Sequence, residues 1–409
     1  MVAQHVCSRI WVCVMATAWL VGYCPAAVRT GLDNVGTSPE LFEGKRVGII
    51  ANHTSYNSRG KYVVDMFRAM LGVQVVALFS PEHGVQGTAE AGVAIGRWAD
   101  PNYGLPVHSL YGETKKPTPE MLANIDVLVF DIQDVGARFY TYVSTMALAM
   151  EAAAENGKPF VVLDRPNPLN GEQVEGEVLD PSFASFVGLY PIPVRHGMTV
   201  GELARMINGE GWLTGGVRAD LAVVSMTSWY RRLWYDQTGL SFIRPSPNIP
   251  DLDTAAIYPG LCLLEGTNVS EGRGTPIPFR QFGAPWMNAE SVCCSLNALR
   301  LPGAWFETTS FVPTSSKYKD QLCHGVRLLL GDKKRLDPFR TGVEIVNQIC
   351  RIHPDQFQWN VEHFDRLCGT DAIRKAIVAQ ASLDELRERW RAECDAFRQA
   401  RTEYLLYPE

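Results

Sequence analysis

Residues Ile125–Tyr142 (IDVLVFDIQDVGARFYTY) constrain this chain more than any other stretch. Val127–Phe130 is a continuous apolar run, the pattern of a parallel strand covered on both faces. The stretch then turns abruptly polar, with Asp131, Gln133, Asp134, Gly136 and Arg138 followed by the rings of Phe139, Tyr140 and Tyr142. A helix-like run, Tyr142–Asn156, comes next. In open α/β sheets ligands bind beyond the carboxyl ends of the strands, so two carboxylates, an arginine and three rings at that point read as part of a site. The plainer alternative is that Asp131 and Asp134 cap a turn and a helix start.

Similar transitions recur along the first half. Gly44–Asn52 reads as a turn and strand ending in Asn52-His53-Thr54, and Val73–Phe79 as a strand ending in Ser80-Pro81-Glu82-His83-Gly84. Phe160–Asp164 and Leu221–Met226 complete the set. Gly60–Leu71 and Thr118–Asn124 have helical spacing, and Thr199 with Glu202 forms a capping box. Val85–Gly112 reads as one long loop. Strands alternating with helices predict an α/β fold, a Rossmann-like doubly wound parallel sheet over residues 29–243. Pro245, Pro247 and Pro250 then break regular structure. Residues 244–409 read as a smaller α+β domain completing an interdomain cleft. There Tyr258–Leu264 and Val326–Leu330 are expected strands, and Ala289–Leu299, Pro338–Cys350, Asp371–Gln380 and Leu383–Ala400 expected helices. The loop Glu265–Thr275 (EGTNVSEGRGT) is the polar island of that half, and its glycines suggest close approach to a ligand.

The N-terminus stands apart. Ile10–Tyr23 is a mostly apolar run of signal-peptide length, with small residues at Ala26 and Ala27. Val21-Gly22-Tyr23-Cys24 is a loose lipobox that would lipidate Cys24 and attach the chain to a membrane. Residues 1–28 are therefore expected to be a signal segment, and the protein to be exported, periplasmic or associated with the cell envelope. In such an oxidising setting some of the seven cysteines from Cys262 to Cys394 would pair; none has CxxC spacing. A net charge of −6 with no basic run gives no reason to expect nucleic acid.

Glu82, Asp131 with Asp134, Asp164, and Glu265 with Glu271 are acids at expected strand ends. Carboxylates from two domains meeting across a cleft suit glycoside hydrolysis, in which one acid protonates the leaving oxygen and the other acts as nucleophile or activates water. Glu82, after an apolar strand and beside His83, is the choice for the acid. No GxGxxG follows a strand, and neither GxxxxGK[ST] nor GxSxG occurs, so dinucleotide, P-loop and serine-hydrolase readings lack support. A metal-dependent hydrolase using His53, His83, Asp131, Asp134 or His196 is a lesser alternative, since the spacings match no named cage.

Seven segments in order, LFSPEHG (78–84), DIQDVGARFYTY (131–142), DRPNP (164–168), RHGMTVGE (195–202), PSPNIP (245–250), EGTNVSEGRGT (265–275) and PTSSKY (313–318), resemble the exo-lytic β-N-acetylmuramidases of the NamZ type. The resemblance runs from about Gly44 to Tyr404–Tyr407. It implies removal of terminal, non-reducing, β-linked N-acetylmuramic acid (MurNAc) from peptidoglycan fragments in cell-wall turnover, without metal or cofactor. By motif, Glu82 is the implied general acid/base, and Asp131, Asp134, Glu265 and Glu271 are candidates for the second carboxylate. The lactyl carboxylate of the sugar calls for an arginine, for which Arg138, Arg195 and Arg273 are available. Asn52, His83, Tyr140, Tyr142 and Asn268 are candidates for hydroxyl or acetamido groups. Gln86 departs from the family, which tends to carry arginine there, and the cysteine-rich C-terminal third also departs. A glycan-binding surface protein that has lost catalysis is the alternative on the same fold; retention of all five acids favours the enzyme.

Overall fold

The computed structural model describes residues 27–87 and 98–409. The signal segment, its apolar run and Cys24 lie outside these residues.

The first half is built on one sheet. Its strands are β1 (Arg46–Ala51), β2 (Gln74–Ser80), β3 (Trp98–Ala99), β4 (Pro106–Ser109), β5 (Val127–Asp131), β6 (Phe160–Leu163) and β9 (Leu221–Val224). A short antiparallel ribbon, β7 (Glu175–Val178) with β8 (Pro193–Arg195), lies outside it. The sheet order is β3-β4-β2-β1-β5-β6-β9, parallel throughout except for β3 on its edge. Alternation along β5 shows why an unbroken apolar run was needed. Leu128 and Phe130 enter one core with Phe79 and Phe160, while Val127 and Val129 enter another with Val47, Ile49 and Val161. Both faces are thus covered, as a parallel sheet requires. The chain builds outward from β1 through β2 to β4, then restarts at β5 and proceeds through β6 to β9. The reversal point lies between β1 and β5, where such sheets open a crevice at their carboxyl ends.

The second half carries an antiparallel sheet in the order β10-β12-β11, made of β10 (Gln281–Ala284), β11 (Ala304–Phe311) and β12 (Cys323–Leu330). The helix Ala289–Ala298 packs on this sheet, Pro338–Ile352, Val361–Cys368 and Ala372–Val378 follow in the chain, and Asp384–Ala400 packs on β7. The architecture is therefore α/β and Rossmann-like, with a smaller mixed second part.

Several local expectations are corrected. The run Tyr258–Leu264 is not a strand: it ends the helix Leu252–Leu261 and opens the 3-10 turn Cys262–Gly266. Every residue from Thr254 to Leu264 is buried, so no polar face marks the helical period. The loop Val85–Gly112 contains β3 and β4. None of the seven cysteines from Cys262 to Cys394 is in a disulfide; Cys262 and Cys368 sit in the core as small apolar side chains.

The chain's end returns to the first sheet. Tyr407 donates its hydroxyl to Asp164 Oδ2 at 2.5 Å and accepts the Met226 N–H at 3.0 Å. Asp164 also takes the Thr199 hydroxyl (2.7 Å) and the Gly201 N–H (2.8 Å). The Leu406 N–H donates to Glu202 Oε1 at 2.9 Å.

Candidate active site

A cleft of about 940 Å³ lies between the carboxyl end of the parallel sheet and the loops of the second half. Glu82, His83, Tyr111, Tyr140 and Thr141 line it from the first side; Glu265, Glu271, Arg273, Lys317 and His363 line it from the other. Residues 246–249 and 314–316 close its rim.

Glu82 stands two residues past β2, with a tight turn behind it. His83 has φ +70° and Gly84 φ +73°. A left-handed histidine is strained and persists where its surroundings fix it. Gly87 shows how closely: a Cβ there would lie 1.8 Å from the His53 ring of the β1 loop. Thr141, at the mouth of the helix Tyr142–Glu155, donates its hydroxyl to Glu82 Oε2 at 2.8 Å. Tyr111, two residues past β4, shares a further hydrogen bond with Glu82, and burial together with that carboxylate pushes its phenol well up.

The opposing acids are held differently. Glu265, in the 3-10 turn Cys262–Gly266, pairs with Arg273 Nη2 and lies 3.6 Å from His363 Nε2. Glu271 pairs with Arg273 Nε (3.2 Å) and Lys317 Nζ (3.1 Å), and Lys317 also donates to the Leu264 and Val269 carbonyls. Burial alone would raise the Glu265 carboxyl, but Arg273 and His363 overcome it and hold the group well below the usual carboxylate range. Arg273 and Lys317 thus clamp the pair of acids, with His363 beside Glu265. The Glu265 side chain keeps 20% of its exposure while that of Glu271 keeps 3%, so Glu265 is the more reachable from the cleft.

The glycines of this loop also let it pack closely on its neighbours at the cleft. A Cβ on Gly274 (φ +75°) would lie 2.4 Å from the Ser315 nitrogen, so the close approach is between two loops of the protein. The Ser270–Gly283 bridge, with bonds of 2.9 and 3.0 Å, ties the same loop to β10.

Of the residues singled out from the sequence, Glu82, His83, Tyr140, Glu265, Glu271 and Arg273 meet at the cleft. Seven do not line it. Asp131 is fully buried in a two-point ion pair with Arg165 (2.6 and 2.8 Å). Arg138 is buried and donates to the carbonyls of Glu177, Ile192, Leu367 and Cys368, which leaves it no role toward a sugar carboxylate. Arg195 is buried against Glu175, the Leu169 carbonyl and Gln173. Asn52 accepts from Thr54, and Tyr142 donates to the Pro245 carbonyl at 2.8 Å. Asn268 exchanges bonds with the backbone at Gln356 and Gln358. Asp134 accepts the Gly136 N–H at 2.7 Å, and its other oxygen has no partner among the described residues. Gln86 is exposed. Among the described residues no three His, Cys, Asp or Glu side chains gather as a metal-binding group, so the set His53, His83, Asp131, Asp134 and His196 does not assemble.

Sequence reasoning missed Tyr111, Thr141, Tyr258, Lys317 and His363 as individual site residues. Thr141 and Lys317 lie inside motifs already quoted; His363 sits on a helix nearly a hundred residues past Glu265 and carries no local signal.

Burial pushes Asp134 up to about 7. A raised carboxyl means that the folded protein holds a proton which the unfolded chain, with a carboxyl near 4, has already lost. This contribution is present below about pH 4 and lost as pH rises through about 7, by up to ~1.4 kcal/mol per pH unit. Asp134→Asn removes it. The urea stability of the variant relative to wild type is expected to rise between pH 5 and pH 7; a difference that does not change with pH would contradict a protonated Asp134.

Residues 47–253 match the family model described as "Exo-beta-N-acetylmuramidase NamZ, N-terminal", and residues 256–407 its C-terminal counterpart. The chain is 46% identical over 382 residues to the peptidoglycan beta-N-acetylmuramidase NamZ of Bacillus subtilis (strain 168), covering 93% of this chain and 91% of that one. Two solved DUF1343 family proteins from Bacteroides fragilis NCTC 9343 share the fold. One has a TM-score of 0.86 at 39% identity, covering 93% of this chain and 99% of its own. The other has 0.77 at 34%, covering 94% and 100%.

Proposed function

We propose, from the premise that this chain belongs to the NamZ exo-β-N-acetylmuramidase family, a carboxylate mechanism in which Glu82 is the general acid and Glu265 its partner. The chain is a glycoside hydrolase that releases terminal, non-reducing, β-linked MurNAc from peptidoglycan fragments.

The observation that carries the assignment of roles is the contrast across one cleft. Glu271 is paired with Arg273 and Lys317, while Glu265 is held below the usual carboxylate range by Arg273 and His363, and a carboxylate held ionised cannot be the proton donor. Glu82, on the facing wall, is bonded by the Thr141 and Tyr111 hydroxyls. In this reading Glu82 gives its proton to the glycosidic oxygen as that bond breaks. Glu265 stabilises the anomeric carbon from the other side, as nucleophile or by activating water. Water supplies the hydroxyl of the released sugar, and Glu82 regains a proton.

The cationic group is also the part of the cleft suited to a lactyl carboxylate. Arg273, Lys317 and His363 line one wall, and a charge-assisted hydrogen bond there contributes ~1.5–3 kcal/mol. Export to the cell envelope is part of the proposal and rests on the apolar run Ile10–Tyr23.

The test compares chromogenic β-glycosides of MurNAc and of N-acetylglucosamine, which lacks the lactyl group. The expected result is a preference for the former of about 10–100-fold in kcat/KM, the equivalent of that one contact. Equal rates would remove the lactyl role from this wall. No release from folded protein would favour a glycan-binding protein that has lost catalysis.

A further inference from the structure

We infer that Tyr111 is a positioning residue for the general acid: its phenol and the Thr141 hydroxyl hold the Glu82 carboxyl between them and so fix where its proton is delivered. The inference rests on the reading of Glu82 as the acid.

The placement follows from the register of the sheet. β2 and β4 run parallel, with Leu78 opposite Val107, Phe79 opposite His108 and Ser80 opposite Ser109. The Leu110 N–H donates to the Ser80 carbonyl at 2.8 Å and carries the ladder one step further. Glu82 and Tyr111 each stand two residues past the last of these pairs. Neighbouring strands lie ~4.8 Å apart, a span that a phenol crosses to reach a carboxylate on the next chain. The Tyr111 hydroxyl makes that hydrogen bond with Glu82.

Thr141 comes from the other direction. In the order β3-β4-β2-β1-β5, β4 flanks β2 on one side, and β1 and then β5 follow on the other. Thr141 follows β5, immediately before the helix Tyr142–Glu155, and donates to Glu82 Oε2 at 2.8 Å. A carboxyl bonded from both directions along the sheet is restrained in its side-chain torsions. Such restraint matters because a misplacement of ~1 Å at a reacting group can cost ~10²-fold in rate.

Tyr111 is itself fixed. The Ser109 hydroxyl accepts the Tyr111 N–H at 3.2 Å and donates to the Tyr111 carbonyl at 3.0 Å. The ring lies against Phe186, with centroids 5.9 Å apart. Burial and the Glu82 carboxylate push the phenol well up, so it stays a hydroxyl donor through the neutral range.

The test uses the full chain and two MurNAc glycosides, one with a poor alcohol leaving group and one with a nitrophenol. Tyr111→Phe removes the donor and keeps the ring that packs on Phe186. On the poor leaving group kcat is expected to fall by about 10–100-fold, with KM within about twofold of wild type. On the nitrophenyl glycoside the deficit should shrink, because that bond needs less protonation. Thr141→Val should give the same pattern. In the double variant Glu82→Gln with Tyr111→Phe the two losses are expected not to multiply, since one residue acts through the other. A raised KM with kcat unchanged would make Tyr111 a direct substrate contact and overturn the inference. Equal deficits on both glycosides, or losses that multiply, overturn it as well. If Glu82→Gln keeps full activity, the acid assignment itself fails. If Glu82→Gln loses activity while Tyr111→Phe matches wild type, the positioning role alone fails.

Discussion

Glu82→Gln lowers kcat on a MurNAc glycoside with a poor leaving group by ~10²–10⁴, with KM little changed. The substitution keeps the shape of the side chain, and its amide oxygen can still accept the Thr141 hydroxyl that now bonds Glu82 Oε2. It cannot deliver a proton. A loss confined to kcat is therefore the signature of the acid, whereas a structural role would disturb KM or stability as well. A substrate whose leaving group departs readily as an anion needs less protonation, so the deficit on it should shrink. Equal loss on both substrates would remove the general-acid role from Glu82, and an unchanged rate would move the search to the clamped acids. Glu265→Gln separates that case, since it removes one side of the Arg273–His363 clamp and should fail on both substrates alike.

The second large effect is on stability and falls on Asp131, a residue whose position in the sequence suggested chemistry. Its carboxylate is fully buried and joined to Arg165 by bonds of 2.6 and 2.8 Å. The Ser55 hydroxyl holds the carbonyl of the same residue, so the loops after β1, β5 and β6 meet at this pair. Asp131→Ala strands the Arg165 charge in the interior, and the expected cost is ~3–5 kcal/mol in equilibrium urea unfolding. The double change Asp131→Leu with Arg165→Met should recover much of that, because the penalty comes from the unpaired charge rather than from loss of the pair. The fraction that remains folded should retain hydrolysis. A single-variant cost below ~1 kcal/mol would show that the pair is solvated, in conflict with its burial.

These two acids show what the sequence carried and what it did not. The parallel sheet was legible because each strand is an unbroken apolar run followed by a polar switch, and burial on both faces leaves no other pattern for Val127–Phe130. Position at a strand's carboxyl end was legible too, and it found Glu82. The same rule could not tell Glu82 from Asp131, because both follow strands; which acid reaches the cleft depends on a turn at His83 and on a partner thirty-four residues away at Arg165. Arginines misled for a related reason. Arg138 sits among site residues, yet its guanidinium is consumed by four carbonyls from distant segments, a demand invisible in local sequence. In the second half, Tyr258–Leu264 lacked a polar face to reveal its helix, and β11 was obscured by the mixed run Glu307–Ser310.

The return of Tyr407 to Asp164 sets a condition on synthesis. Asp164 ends the fourth strand expected from the sequence, yet the hydroxyl that satisfies it belongs to the third residue from the end of the 409-residue chain. On the ribosome, at ~5–20 residues per second, the sheet waits about 10–50 s between making that carboxylate and receiving its last hydrogen-bond partner. For that interval the loop after β6 lacks this tether. A nascent chain stalled before Tyr407 should thus be cut readily by protease at the β6 loop, and a chain that includes Tyr407 should resist.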